Sequence, residues 1–77
     1  MILGVMKIKD CGISGQARKI NYQLGNKNYY FYSYFGNPNQ DFVADEEGNN
    51  ITNTKLGMEI KRSGMNYILN KDYKNGN

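Results

Sequence analysis

The apolar and polar positions of this chain alternate mostly with the period of short β-strands. Residues 2–9, ILGVMKIK, settle into period two, with Met6 and Ile8 pointing one way and Lys7 and Lys9 the other. Residues 10–17, DCGISGQA, hold two glycines and no sustained alternation, and read as a loop. In RKINYQL, residues 18–24, Ile20, Tyr22 and Leu24 share one face while Lys19, Asn21 and Gln23 share the other. GNKN then supplies a turn, because Gly and Asn tolerate the left-handed backbone of a tight hairpin. A turn centred on Asn26 and Lys27 sets Leu24 opposite Tyr29, Tyr22 opposite Phe31 and Ile20 opposite Ser33. The same pairing sets Gln23, Asn21 and Lys19 opposite Tyr30, Tyr32 and Tyr34.

This pairing divides the aromatic run NYYFYSYFG, residues 28–36, into two sets. Ile20, Tyr22, Leu24, Tyr29, Phe31 and Phe35 form the expected core face; Tyr30, Tyr32 and Tyr34 look outward beside Lys19, Asn21 and Gln23. The assignment follows from the phenol: Tyr carries a hydroxyl that is best kept wet, whereas Phe has no polar atom. A slip of one residue would exchange the two sets.

Further along, GNPNQD (36–41) reads as a loop, and DFVADEE as a short strand with Phe42 and Ala44 on one side and Val43 on the other. DEEGNN turns the chain again. Beyond Ile51 two patterns compete. Thr54 has the chemistry to cap a short helix containing Leu56, Glu59 and Ile60. Against it, Gly57 costs about 1 kcal/mol in a helix interior, and Leu56, Met58 and Ile60 alternate as a strand does. The preferred reading is a hairpin turning at Arg62-Ser63-Gly64. The chain is thus expected to be mainly β: a small antiparallel sheet, or an SH3-like or OB-like barrel, of five to six short strands, with one short helix near 54–62 as the alternative. Residues 1–71 form the single β domain and 72–77 a flexible tail.

Composition narrows the class. At 77 residues, folding buries only about 60% of the surface of the unfolded chain, so the core is thin. The chain is polar, with a mean hydropathy of -0.75, yet seven Tyr and three Phe are more than disordered segments carry. The lone Cys11 has no internal partner, and small secreted domains usually depend on disulfides, so a reducing, cytoplasmic setting is expected. MILGV is too short for a signal-peptide core or a membrane span. The sequon at Asn50-Ile51-Thr52 therefore reads as a chance match. Asn-, Lys-, Ile- and Tyr-rich usage resembles that of AT-rich genomes, such as those of many low-GC bacteria and their phages.

Several chemistries lack their residues. Without histidine there is no Ser-His or Cys-His pair and no imidazole ligand, and one cysteine makes no Cys-rich zinc site. No Walker-type phosphate loop is present. An enzyme is not expected, and no catalytic residue, metal or cofactor is assigned. Asp45, Glu46 and Glu47 lack the alternate spacing of a calcium loop and read as a solvated turn. GISGQARK (12–19) joins a Gly-x-x-Gly stretch to Arg18 and Lys19, which suits backbone amides approaching a phosphate. Its first four residues resemble the loop of KH domains, but that loop joins two helices, and no helical pattern flanks it here. A plain connection between strands is the preferred reading.

The outward row of Tyr30, Tyr32 and Tyr34 with Lys19, Asn21 and Gln23 is the expected partner-binding surface. An uncovered aromatic patch commonly marks an interaction site, and Tyr is enriched at protein hot spots. The leading expectation is a non-enzymatic protein that docks on another protein, as a phage or mobile-element factor modulating or inhibiting a host protein, with a homodimer as a further option. The alternative is a module for single-stranded nucleic acid, stacking bases on the tyrosines, with Arg18, Lys19 and Lys27 as phosphate contacts. The net charge of +3 is a mild basic bias that decides neither.

Overall fold

A computed structural model describes the backbone of residues 6–75 and the side chains of residues 7–71. Four strands, β1 (Met6–Ser14), β2 (Ala17–Leu24), β3 (Lys27–Tyr34) and β4 (Phe42–Ala44), are followed by one helix, α1 (Lys55–Asn75). The strands form an antiparallel meander in chain order, β1-β2-β3-β4. A short 3-10 turn at Pro38–Gln40 lies between β3 and β4.

Both β1–β2 and β2–β3 close through two-residue turns, because Ser14 pairs with Ala17 and Leu24 with Lys27. Gly15 (φ 63°) and Gly25 (φ 65°) take the first central position, and among the described residues no other residue type has positive φ. That combination is the primed turn with glycine first, whose twist matches the strands it joins. The β2–β3 turn is therefore Gly25-Asn26, and the register differs by two residues from the one expected: Tyr22 faces Tyr29, Ile20 faces Phe31, and Lys19 faces Tyr32. A shift of two preserves the faces, so the division of the aromatic run stands for Tyr29 to Tyr34, whereas Phe35, expected in the core, lies past the end of β3 and is exposed. The stretch 10–17, expected as a loop, is instead the end of β1, interrupted by a bulge between Asp10 and Ile13, and the turn into β2.

The expected hairpin beyond Ile51 is overturned. Residues 55–75 wind into α1, longer than the short helix held as the alternative. The Thr54 hydroxyl caps it, accepting the Gly57 N–H at 2.9 Å while donating to the Ile51 carbonyl at 2.7 Å. The helix lies across β2, β3 and β4. Ile60 joins Ile20, Phe31 and Val43 as the fully buried core, with Ile8, Tyr29, Ile51, Leu56, Tyr67 and Ile68 packed round it. Each large side chain fully buried is worth about 1.5–3 kcal/mol.

Gly57, which argued against a helix, and Gly64, expected in a hairpin turn, are its contact points. A Cβ on Gly57 would collide with the Ile51 carbonyl, and one on Gly64 with the Phe31 ring. On either side of Ile60, Gly57 lets the helix start against the Ile51–Thr52 backbone and Gly64 lets it seat on the Phe31 ring of the sheet. With one face covered this way the sheet has no need to close, and β1 and β4 remain its two edges. The fold is a four-stranded open sheet with one C-terminal helix; a barrel of five to six strands is not shown. The backbone of the expected tail is helical through Asn75, and residues 76–77, like residues 2–5 of the first expected strand, lie outside the described residues.

At the far end of the helix one carboxylate ties three elements together. Asp10 accepts from Lys71 Nζ and Arg18 Nη2, both at 2.9 Å, and from the Gly12 N–H at 2.8 Å. Its side chain is only 13% exposed. The Lys71 ammonium, with the Gly12 amide and the Arg18 guanidinium, holds the Asp10 carboxyl well below the usual carboxylate range, against the opposing effect of burial.

Candidate nucleic-acid interface

The pleat settles what each face of the sheet carries. Residues that pair with or alternate from Ile20 and Phe31 lie under the helix. The remaining set, Lys7 and Lys9 of β1, Lys19, Asn21 and Gln23 of β2, Asn28, Tyr30, Tyr32 and Tyr34 of β3, and Phe42 and Ala44 of β4, forms the opposite, open face. Tyr30, Tyr32, Tyr34, Lys19 and Gln23 are half-buried there, and Asn21 is buried.

Neighbouring side chains fix this surface from within. The Tyr32 and Phe42 rings, opposite each other across β3 and β4, stack with centroids 4.6 Å apart and planes 14° from parallel. Tyr34 continues the row at 6.4 Å from Phe42. Lys19 Nζ sits 4.7 Å from the Tyr30 centroid and 5.8 Å from that of Tyr32, bridging two rings through their π faces. Toward the β2–β3 turn the rings give way to amides: Asn28 Oδ1 accepts from Gln23 Nε2 at 3.0 Å and Asn21 Nδ2 at 3.4 Å, and Asn28 Nδ2 donates to Glu46 at 3.1 Å. Asn21 Nδ2 also donates to the Tyr29 carbonyl at 3.2 Å.

The six residues expected at a partner surface, Tyr30, Tyr32, Tyr34, Lys19, Asn21 and Gln23, are thus brought together. Two of the three expected phosphate contacts are not among them. Arg18 points to the helix side, where it pairs with Asp10. Lys27 also lies on the helix side, along a groove shared with Asp45, Glu46 and Glu47. Only Lys19 remains on the tyrosine face.

Sequence reasoning missed Lys7, Lys9 and Phe42. The signal was present: both lysines alternate away from Ile8, so a short turn between the first two strands aligns them with Asn21 and Gln23. No acidic residue of the four strands falls on the open face, since Asp10, their only acid, faces the helix. The chain holds ten basic and seven acidic residues. Setting Lys7, Lys9 and Lys19 aside leaves seven of each sign. The open face thus carries three lysines, a number equal to the net charge, and Glu46 reaches its turn end through Asn28.

The acidic turn behaves differently. The Asp45 carboxylate accepts from the Asn49 and Glu47 backbone amides at 2.9 and 3.0 Å and from the Asn49 side chain at 3.2 Å. Those amides, Asn49 first, lower its pKa from the ordinary value. It satisfies its own turn. Among the described residues no cluster of three or more His, Cys, Asp or Glu is placed to hold a metal ion, and no helix is long and apolar enough to cross a membrane. Cys11 is exposed beside the β1 bulge. No protein-family model, curated protein or solved structure matches this chain.

Proposed function

We propose that this chain is a non-enzymatic module that binds single-stranded nucleic acid on the open face of its sheet. One observation carries the reading: the half-exposed aromatic row and three lysines, Lys7, Lys9 and Lys19, share one face of the sheet to which no strand contributes an acid. Stacking supplies about 1–3 kcal/mol per base and tolerates any sequence. Lys19 sits against the rings, and Lys7 and Lys9 lie on the same face two strands away on β1, where they can meet the backbone of a strand stacked on the tyrosines. A duplex keeps its bases inside the stack and offers the rings nothing, so the single-stranded form is favoured.

The test is fluorescence anisotropy with a short labelled oligonucleotide across a salt series. Three phosphate contacts predict a slope of log affinity against log salt of about -2. Replacing Tyr32 with Ala should weaken binding by about 1–3 kcal/mol. A flat anisotropy trace at low salt would overturn the proposal. If a specific protein were then retained by the wild type and lost from a Tyr30→Ala/Tyr34→Ala variant, the face would be a protein-docking surface instead.

A further inference from the structure

We infer that the turn end of the open face holds a base-reading pocket that selects a base bearing an exocyclic amine, cytosine over thymine or uracil. The inference rests on the single-strand reading above and adds specificity to it. A polar cavity of about 210 Å³ opens there, lined by Lys7, Gln23, Gly25, Asn26 and Asn28. That is several times the roughly 30 Å³ share of one water. It lies one alternate position beyond Tyr30 along β3, where the stacking row ends and the amides begin.

The amides have a forced orientation, and Glu46 forces it. An ionised carboxylate only accepts, so the Asn28 group facing Glu46 must be its NH₂. Asn28 Oδ1 is then turned toward β2, where it can only accept. Gln23 and Asn21 must each present an NH₂ to it, as they do. Reversing Gln23 would set two carbonyl oxygens against each other. The consequence is that Gln23 Oε1 is directed away from Asn28 as a fixed acceptor, and among the described residues it takes no hydrogen bond from another side chain.

A fixed acceptor discriminates by what the ligand offers. Cytosine presents an amine at the position where thymine and uracil present a carbonyl oxygen. The amine donates to Gln23 Oε1, and the carbonyl is repelled by it. Lys7 does not reverse the preference. Its ammonium, on a long flexible stem, reaches phosphate or the O2 atom that all three pyrimidines share.

The experiment compares oligo(dC) and oligo(dT) of equal length, at one salt concentration and pH 7.5, on the intact chain. The expected result is about three- to tenfold tighter binding of oligo(dC), the worth of one net hydrogen bond. Gln23→Ala removes the acceptor, and Glu46→Gln releases the orientation of Asn28 without touching the pocket wall. Each should bring the ratio close to one, chiefly through weaker binding of oligo(dC). Equal wild-type affinities for the two oligomers, or a preference that survives in both variants, would overturn the pocket while the stacking surface stands. Failure of both oligomers to bind overturns the surface and the pocket together.

Discussion

Two adjacent rungs cross the sheet, one residue apart in β2, β3 and β4. Ile20, Phe31 and Val43 make one rung, and all three are fully buried beneath Ile60. Lys19, Tyr32 and Phe42 make the next, are covered only by one another and by Tyr30 and Tyr34 beside them, and stay half-exposed. Backbone, strand order and turns are common to both. The pleat alone sends one rung to the core and the other to the solvent, so stability and recognition are written on alternate residues of the same strands. Substitutions on the two rungs should therefore have separable effects.

The largest expected effect lies on the buried rung. Phe31→Ala removes the ring that fills the space under Gly64 and should cost about 3–5 kcal/mol, a loss that leaves a domain this small barely folded in chemical denaturation. A mild effect there would mean that the helix does not seat on Phe31.

Next comes the pin that holds the helix to β1. Asp10 has a lowered carboxyl pKa, owed first to Lys71, so its contribution is present above the unfolded value near 4 and is lost as pH falls toward the folded one. The thermal midpoint should drop steeply on acidification below about pH 4. In Asp10→Asn that acid limb should flatten, and neutral stability should fall by about 1.5–3 kcal/mol. An unchanged acid limb would show that the carboxylate is not held by its partners.

On the open rung the readout changes from stability to affinity. Tyr30→Ala should weaken oligonucleotide binding by about 1–3 kcal/mol while thermal unfolding moves by no more than about 1 kcal/mol. Unfolding that moves as far as in Phe31→Ala would erase the contrast between the faces. The smallest effect is expected at Lys9, where Ala should reduce the salt slope by about 0.7 and leave melting in place.

Alternation made most of the sheet legible before any coordinates. Met6 to Lys9, Ile20 to Leu24, Tyr29 to Tyr34 and Phe42 to Ala44 all keep the faces their periodicity implies. What escaped was set by contacts distant in sequence. Leu56, Met58 and Ile60 alternate like a strand, but in the helix Met58 is 56% exposed while Ile60 is buried. Gly57 and Gly64 lower helix propensity locally, and only the approach of Ile51 and Phe31 shows why they are there. Phe35 was expected in the core; it lies just past the end of β3, next to the turn at Gly36, and is 50% exposed. At the candidate site, the tyrosine row was readable from one hairpin. The lysines of β1 and the Asn28–Glu46 contact required the neighbouring strands to be placed first.

Because every strand pairs with the one before it, each hairpin can zip shut soon after it leaves the ribosome. The helix follows the four strands in the chain. Until residues 55–75 have been translated, Ile20, Phe31 and Val43 form a greasy strip open to any other nascent chain. A message cut short, or a ribosome stalled, just after Thr54 would release a sheet that is sticky on both sides. Such a fragment should be recovered in the insoluble fraction, whereas the chain that includes residues 55–75, folded back over the strip, should not.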